Sequence, residues 1–500
     1  MLYKKRKRMR MFSALLVLCI VAILTDTNTA TVYADVPYTT YSYNYWLDDV
    51  VQPNAYLYSG KLSSQEFGTS LAYPKDMFLY QNEIYIADTD NSRILKLSTS
   101  GEVLMELTYA DGKDDLLNKP QGVFVTDEGH IYVADSDNGR IVEYDGAGNF
   151  IREIGRPVTD LITASQEYKP TKVAVDHAGR IYAIAYGINM GLVEFNKNGE
   201  FQGFMGAAKV SVSAFEYIWK NYFSTEEQQA RMQTIVPTEY SNMFADNQDF
   251  LYVTISNLSE DDYMGGADAI RRLNPTGKDI LRRLGNYPII GDLYNSADSD
   301  WSVFTDVCAT DYGCYFILDS AGGKIFAYDY DGNSLFCFGG IGSREGLMKN
   351  PTALGISENA DKIYVLDSIL GSILEYDITQ YGQHLLSALE LNSKGDSKGS
   401  NREWQEVLKA NANCELAYIG LGKTYLKEGE YKKAMEYFKL GNSRKYYTKA
   451  FYYYRRALME KNFGRIMTAV IAVVVIVLMI IWVRKFRRWV NEVRCTMSKH

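Results

Sequence analysis

Short apolar runs, each set off by Gly, Asp or Asn, recur through the middle of the chain. The clearest unit is Pro120-Gln-Gly-Val-Phe-Val, a turn at Asp127-Glu-Gly129, then Ile131-Tyr-Val-Ala-Asp135. It continues with Ser-Asp-Asn138-Gly-Arg140, Ile141-Val-Glu-Tyr144-Asp145 and a turn ending at Gly148. Comparable units start at Pro74, Pro170 and Pro351, and looser ones surround Phe250-Leu-Tyr-Val-Thr254 and Cys314-Tyr-Phe-Ile-Leu-Asp319. Runs that alternate, or are apolar throughout, are strand signals when turn residues bound them. Such a sheet cannot bury both faces alone. Radial stacking of six copies can, and predicts a six-bladed β-propeller over residues 61–378. The sixth unit ends at Asp377 without an outer strand. Ala55-Tyr-Leu-Tyr-Ser-Gly60, within the segment 35–60, is expected to supply that strand and tie the ends together.

From residue 380 the period changes to that of helices, and 380–455 reads as a helical module. Ile466 to Val483 then runs without a charge. At ~1.5 Å per residue this comes close to the ~30 Å hydrocarbon core, so a transmembrane helix is expected over 466–483. The N-terminus shows Lys4-Lys5-Arg6-Lys7-Arg8, an apolar run from Met11 to Leu24, and small residues ending in Val32-Tyr33-Ala34. That order is the one of a signal peptide, 1–34. Arg484, Lys485, Arg487 and Arg488 follow the C-terminal run. Export from about Asp35 leaves the basic tail 484–500 cytoplasmic and the bulk of the chain extracytoplasmic, in a single-pass protein of the cell membrane.

The spacing of Tyr85, Tyr132 and Tyr182 is nearly even, whereas Tyr252 comes late. The excess, 207–236, reads as helix: Ser224 with Glu227 suits a capping box, and Phe215, Ile218 and Trp219 give an apolar stripe. With insertions 257–268 and 285–304 it is expected to form a crown on one face of blades three to five. Long loops on a rigid scaffold concentrate binding, so a protein partner or small ligand is expected there. Packing against the helical module, or shielding a strand edge, is the competing reading. The acidic residues of the crown, Glu260-Asp261-Asp262 and Asp292 with Asp298 and Asp300, lack calcium-loop spacing and read as solvated carboxylates. No cofactor is called for, although Ca²⁺ is not excluded.

Composition narrows the function. A net charge of −8 removes nucleic acid as a partner, and 40 tyrosines suit half-buried strands and binding surfaces. Four scattered histidines argue against a His-rich zinc site. Cys308 and Cys314 flank the turn Asp311-Tyr312-Gly313. A bridge across it and two buried thiols are both open readings.

The repeat resembles the NHL repeat, in which a strand ends in Ala-Asp and Asn-x-Arg-Ile follows. The resemblance is strongest in Ala87-Asp88 to Ile94 and in Ala134-Asp135 to Ile141. Asp88 with Arg93 and Asp135 with Arg140, and Asp319 and Asp367 at the matching strand ends, are read as structural fixtures of the repeat. Tyr418, Leu421, Gly422, Tyr425, Ala434, Phe438 and Gly441 fall at the spacing of a tetratricopeptide repeat, and a weaker copy contains Ala388, Leu391, Trp404 and Val407. Such units imply peptide or protein binding; a stiff spacer is the plainer reading. The whole arrangement looks like a Gram-positive bacterial family of membrane-anchored NHL propellers. It implies a binding or scaffold protein, with solute (sugar) uptake or envelope assembly as its setting by analogy. The alternative is a metal-dependent hydrolase of the gluconolactonase-like class, which holds a divalent metal on the axis with Glu, Asn and Asp. That reading predicts three or more carboxylate or amide oxygens converging on the axis. The binding reading predicts an apolar or aromatic axis with its polar variety on the crown.

Overall fold

The computed structural model describes residues 36–112, 114–162, 165–188, 190–206, 240–258, 262, 266–292 and 301–497. The expected signal peptide, the helix within 207–236, and Glu260, Asp261, Asp298 and Asp300 lie outside them.

β1 (Tyr41–Tyr43), β2 (Asp49–Val51), β3 (Tyr56–Leu62) and a one-turn helix α1 (Ser64–Phe67) precede the first blade. Blade 1 is β4 (Asp76–Tyr80), β5 (Glu83–Asp88), β6 (Arg93–Ser98) and β7 (Val103–Leu107). Blade 2 is β8 (Pro120–Val125), β9 (Ile131–Asp135), β10 (Arg140–Tyr144) and β11 (Phe150–Ile154). Blade 3 is β12 (Lys169–Val175), β13 (Ile181–Tyr186), β14 (Leu192–Phe195) and β15 (Phe201–Met205). Blade 4 has β16 (Asn242–Ala245), β17 (Leu251–Thr254) and β18 (Ile270–Leu273); a single bridge, Leu273 to Asp279, stands where its fourth strand would be. Blade 5 is β19 (Phe304–Ala309), β20 (Tyr315–Asp319), β21 (Lys324–Tyr328) and β22 (Ser334–Gly339). Blade 6 is β23 (Pro351–Ile356), β24 (Lys362–Asp367) and β25 (Ser372–Ile378). These six antiparallel sheets are the blades of a six-bladed propeller.

Burial follows position in the blade. The second strand, as in β9, is buried at every residue because both of its faces meet a neighbouring blade. The fourth, as in β11, alternates because one face is wet. Turns between third and fourth strands are closed by a short polar side chain. In blade 2 Asp145 Oδ1 accepts from the amides of Ala147 (3.0 Å) and Asn149 (2.8 Å), and Gly148 takes φ +82°; Asn196, Asn274 and Asp329 do the same in blades 3, 4 and 5.

The N-terminal segment enters the ring twice. β3 pairs antiparallel with β25 and is the outer strand of blade 6, the place expected for Ala55 to Gly60. The hairpin β1–β2 adds to β22 and widens blade 5 to six strands, which was not expected. Tyr56 is fully buried there, its ring among Phe316, Phe336 and Phe338 at 5.7–6.3 Å.

Beyond blade 6, α2 (Gln380–Ser393), α3 (Ser397–Ala410), α4 (Glu415–Lys427) and α5 (Tyr431–Leu440) form two antiparallel pairs. Leu421, Ala434 and Phe438 are buried between helices, and a Cβ on Gly422 would lie 2.6 Å from the Phe438 ring. Tyr425 stacks on Tyr437, and Tyr418 lies near the same ring. Ala388, Trp404 and Val407 are buried in the first pair, in one apolar core with Phe316 and Leu335 of blade 5. The module is thus packed on the propeller. The last helix, α6 (Arg444–Met497), begins against α5 and is unbroken, so module and apolar stretch share one helix. It is long and apolar enough to cross a membrane, and Ile466–Val483 has no protein cover.

Candidate functional site

The inner strand of each blade borders the central axis. Two residues after Pro74, Pro120, Pro170, Tyr240, Phe304 and Pro351, the six strands bring Asp76, Gly122, Lys172, Asn242, Asp306 and Ala353 to one level, opposite Ala87, Ala134, Ile184, Thr254, Leu318 and Leu366 of their own second strands. The ring is therefore two carboxylates, an ammonium, an amide and two small residues. It forms a buried floor between two openings. Asp76, Lys172, Asn242 and Asp306 line a funnel of about 450 Å³ on one side, and Lys172 also borders a cavity of about 420 Å³ on the other.

The floor is closed by its own hydrogen bonds. Lys172 Nζ reaches Asp76 Oδ1 at 2.5 Å. Asp76 Oδ2 accepts from the Val123 amide (2.9 Å), and Asp306 Oδ2 accepts from the Leu354 amide (2.6 Å). Each carboxylate thus ties its blade to the next. Gly122 in turn lets blade 3 approach closely: a Cβ there would lie 2.6 Å from the Thr171 carbonyl oxygen. Asn242 Nδ2 donates to Asp306 Oδ1 (2.6 Å), while its Oδ1 takes the Met243 amide (2.7 Å). Burial pushes the Asp306 carboxyl up to about 7; Lys172 opposes the shift and the Asp76 charge adds to it. Burial also raises the Asp76 carboxyl, against the pull of Lys172.

Above the floor the funnel wall is apolar, with Met77, Val123, Val173, Met243, Val307 and Leu354, and with Phe78, Phe124 and Phe244 higher up. Its rim is acidic: Asp127, Glu128, Asp249, Asp311 and Glu358. His177 bridges the rim of three blades, with Nε2 3.0 Å from Asp127 and Nδ1 2.6 Å from Asp249. Those partners, Asp249 first, raise its pKa.

A divalent cation on the axis would need several oxygens facing an open centre. Here Lys172 already supplies a positive charge to Asp76, and Asn242 presents nitrogen, not oxygen, to Asp306. The donor set does not fit a resident divalent metal. Among the described residues no cluster of three His, Cys, Asp or Glu has metal-holding geometry. The axis therefore answers neither expectation as stated: its wall is apolar, yet its floor is polar and hydrogen-bonded within itself.

The repeat aspartates are the last residues of the second strands of blades 1, 2, 5 and 6. Asp88 binds Arg93 Nε (2.7 Å), Asn91 Nδ2 and the Ala72 amide; Asp135 repeats this with Arg140 (2.9 Å), Asn138 and the Asn118 amide. Asp319 takes the amides of Val303 and Ala321 and the Ser302 hydroxyl; Asp367 takes four amides, from Lys349 to Leu370. All four side chains are saturated in fixing connections.

One expectation needs correcting. Asp292 is not a solvated loop carboxylate. It is 5% exposed, accepts hydrogen bonds from Tyr41 and Tyr43 of the hairpin, and pairs with Lys324. Part of the insertion 285–304 is therefore a clasp on β1. Cys308 and Cys314 are free, buried thiols.

The floor residues were not foreseen, although a signal existed. Asp76, Lys172, Asn242 and Asp306 each interrupt an apolar inner strand at the same register. Aligning units on their starting residue would have stacked them.

A family model described as the SMP-30/gluconolactonase/LRE-like region matches residues 79–166, from blade 1 through blade 2. No curated protein matches the chain. Similar solved structures include a streptogramin B lyase, 12% identical, with 65% of this chain and 90% of that one covered and a TM-score of 0.38. Virginiamycin B lyase from Staphylococcus aureus gives 12%, 65%, 89% and 0.35. The β-propeller domain of Cps50 (Swd1) from Myceliophteria thermophila gives 6%, 65%, 100% and 0.38.

Proposed function

We propose that this protein is a membrane-anchored binding protein whose axial funnel receives a ligand or a segment of a partner protein. The observation that carries the reading is the internally bonded floor. Lys172 holds Asp76, and Asn242 and the Leu354 amide hold Asp306, so the polar groups are engaged with one another and with the backbone and present no open coordination centre for hydrolysis. The apolar wall and acidic rim supply what recognition needs: desolvating surface below, charge selection above. The bare apolar stretch Ile466–Val483 supports anchoring in a lipid bilayer, with the propeller outside the cell and the tail in the cytoplasm.

The helical pairs are read as two tetratricopeptide-like units. Leu385 of α2 and Leu416 and Ile419 of α4 border a small cavity whose other walls are Ser42 to Gln52 and Asn333 to Leu335. The chain's own N-terminal hairpin thus lies beside the helices such units use for peptides. The module serves first as a clamp on blade 5.

Placing a photo-reactive amino acid at Phe244 of the full chain in native membranes tests the reading. A discrete adduct lost on blocking the funnel, as with Val173→Trp, is expected. Hydrolysis of lactones that requires an added divalent cation and disappears in Asp306→Asn would replace this reading with the hydrolase one. The family-model match over 79–166 is what keeps that alternative in view.

A further inference from the structure

We infer that the end of the helical module formed by the α2–α3 and α4–α5 turns is a docking face for an anionic lipid surface. The inference rests on the reading of Ile466–Val483 as a membrane span. Two contacts bring the turns together where α6 leaves the module. The Tyr431 ring at the start of α5 stacks on Tyr453 of α6 at 5.8 Å. Lys427 Nζ, at the end of α4, reaches Ser397 Oγ, at the start of α3, at 3.0 Å. Both turns therefore face the direction in which α6 runs towards the apolar stretch.

This end is basic in a chain whose net charge is −8. Three of its acids are taken up locally: Glu390 by Lys394, Glu430 by Lys433 and Glu460 by Arg456. Asp396 caps α3 through the Gly399 amide. Lys398, Lys427, Lys432 and Arg455 are exposed around it, with Glu428 the remaining acid. Lys461 and Arg465 extend the same charge down α6. The acidic rim of the funnel, by contrast, belongs to the propeller.

The distance fits. Leu458, Met459 and Phe463 are exposed and carry the apolar surface of α6 up to roughly 8 Å below Tyr453, at 1.5 Å per residue. With those side chains in the interfacial layer, the turn lysines stand within about one Debye length of the headgroups, ~8–10 Å. At that range each lysine adds a modest attraction to anionic lipid. Together they would fix the tilt of the module, and with it the direction in which the propeller is presented.

The test uses the full chain in vesicles of phosphatidylcholine, with or without phosphatidylglycerol. An amine-reactive reagent footprints the lysines, read by mass spectrometry. Modification of Lys398, Lys427 and Lys432 is expected to slow severalfold in the anionic vesicles and to recover in high salt. Lys197 and Lys278 on the propeller should react equally in both. In Lys427→Gln/Lys432→Gln, the slowing at Lys398 should shrink. Equal rates in the two vesicle types, with the protein floating with both, overturn the docking face and leave the span standing. A protein that floats with neither overturns the span and the docking face together.

Discussion

The seam at blades 5 and 6 and the arc of blades 2 to 4 are built differently. At the seam the chain's two ends meet in dry aromatic packing: Tyr56 lies among three phenylalanines, β3 completes one blade, and β1–β2 widens the other. Along the arc, blade 4 has three strands among the described residues, and the rim is tied by a half-exposed histidine between two carboxylates. Buried aromatic area holds a closure far more firmly than exposed charge pairs do. The ring is locked by aromatic packing where its ends join, whereas the funnel rim of the arc is tied by exposed polar contacts.

The largest expected effect tests the seam. Tyr56→Ala should cost about 3–5 kcal/mol in denaturant unfolding, with the cavity adding to lost burial. A cost below about 1 kcal/mol would place the closure elsewhere. Next comes the clasp. Asp292→Ala leaves Lys324 without its carboxylate and frees both hairpin tyrosines. A loss of roughly 2–3 kcal/mol is expected, reduced from the usual buried-pair value because Lys324 retains some solvent. Proteolysis between β1 and β2 should quicken in parallel.

The axial floor, shared by both regions, gives an effect that depends on pH. The Asp306 carboxyl has its ordinary value near 3.8 in the unfolded chain and about 7 when folded. Between those values the folded state binds more protons. Stability should therefore fall as pH rises through that window, by at most about 1.4 kcal/mol per pH unit, and level off above it. Asp306→Asn should flatten the slope in unfolding midpoints taken from pH 5 to 8 relative to the wild type. A wild-type curve that rises across the window would contradict the assignment. The smallest effect is on the arc. His177→Ala should cost less than about 1 kcal/mol, because the pair is half exposed. Since folding raises the His177 pKa, its contribution is complete below the ordinary value of 6.5 and disappears as pH climbs past the folded one.

The ring was legible because its signal is repeated: strand, turn and Asp-x-x-Asn-x-Arg recur where blade geometry demands them, at Asp88 to Arg93 and Asp135 to Arg140. The closing strand was legible by subtraction, since blade 6 lacked an edge partner. The β1–β2 hairpin was not, because three-residue strands carry no period of their own and owe their conformation to β22. Asp292 was misread for a related reason. A carboxylate among loop acids looks solvated until Tyr41, Tyr43 and Lys324, all remote in sequence, are brought to it. The floor escaped because its chemistry is divided among four blades, one residue from each.

The seam also has a consequence for the order of events during synthesis. The hydroxyl of Tyr56 is bonded to the carbonyl of Ala360, 304 positions later. β3, among the first strands to leave the ribosome, must therefore wait, with its backbone edge unsatisfied, until β25, the last, arrives. Loop closure of that span is slow and entropically costly. A nascent chain halted before blade 6 carries an orphan strand at its head, a ready target for chaperones and for pairing with a neighbouring chain.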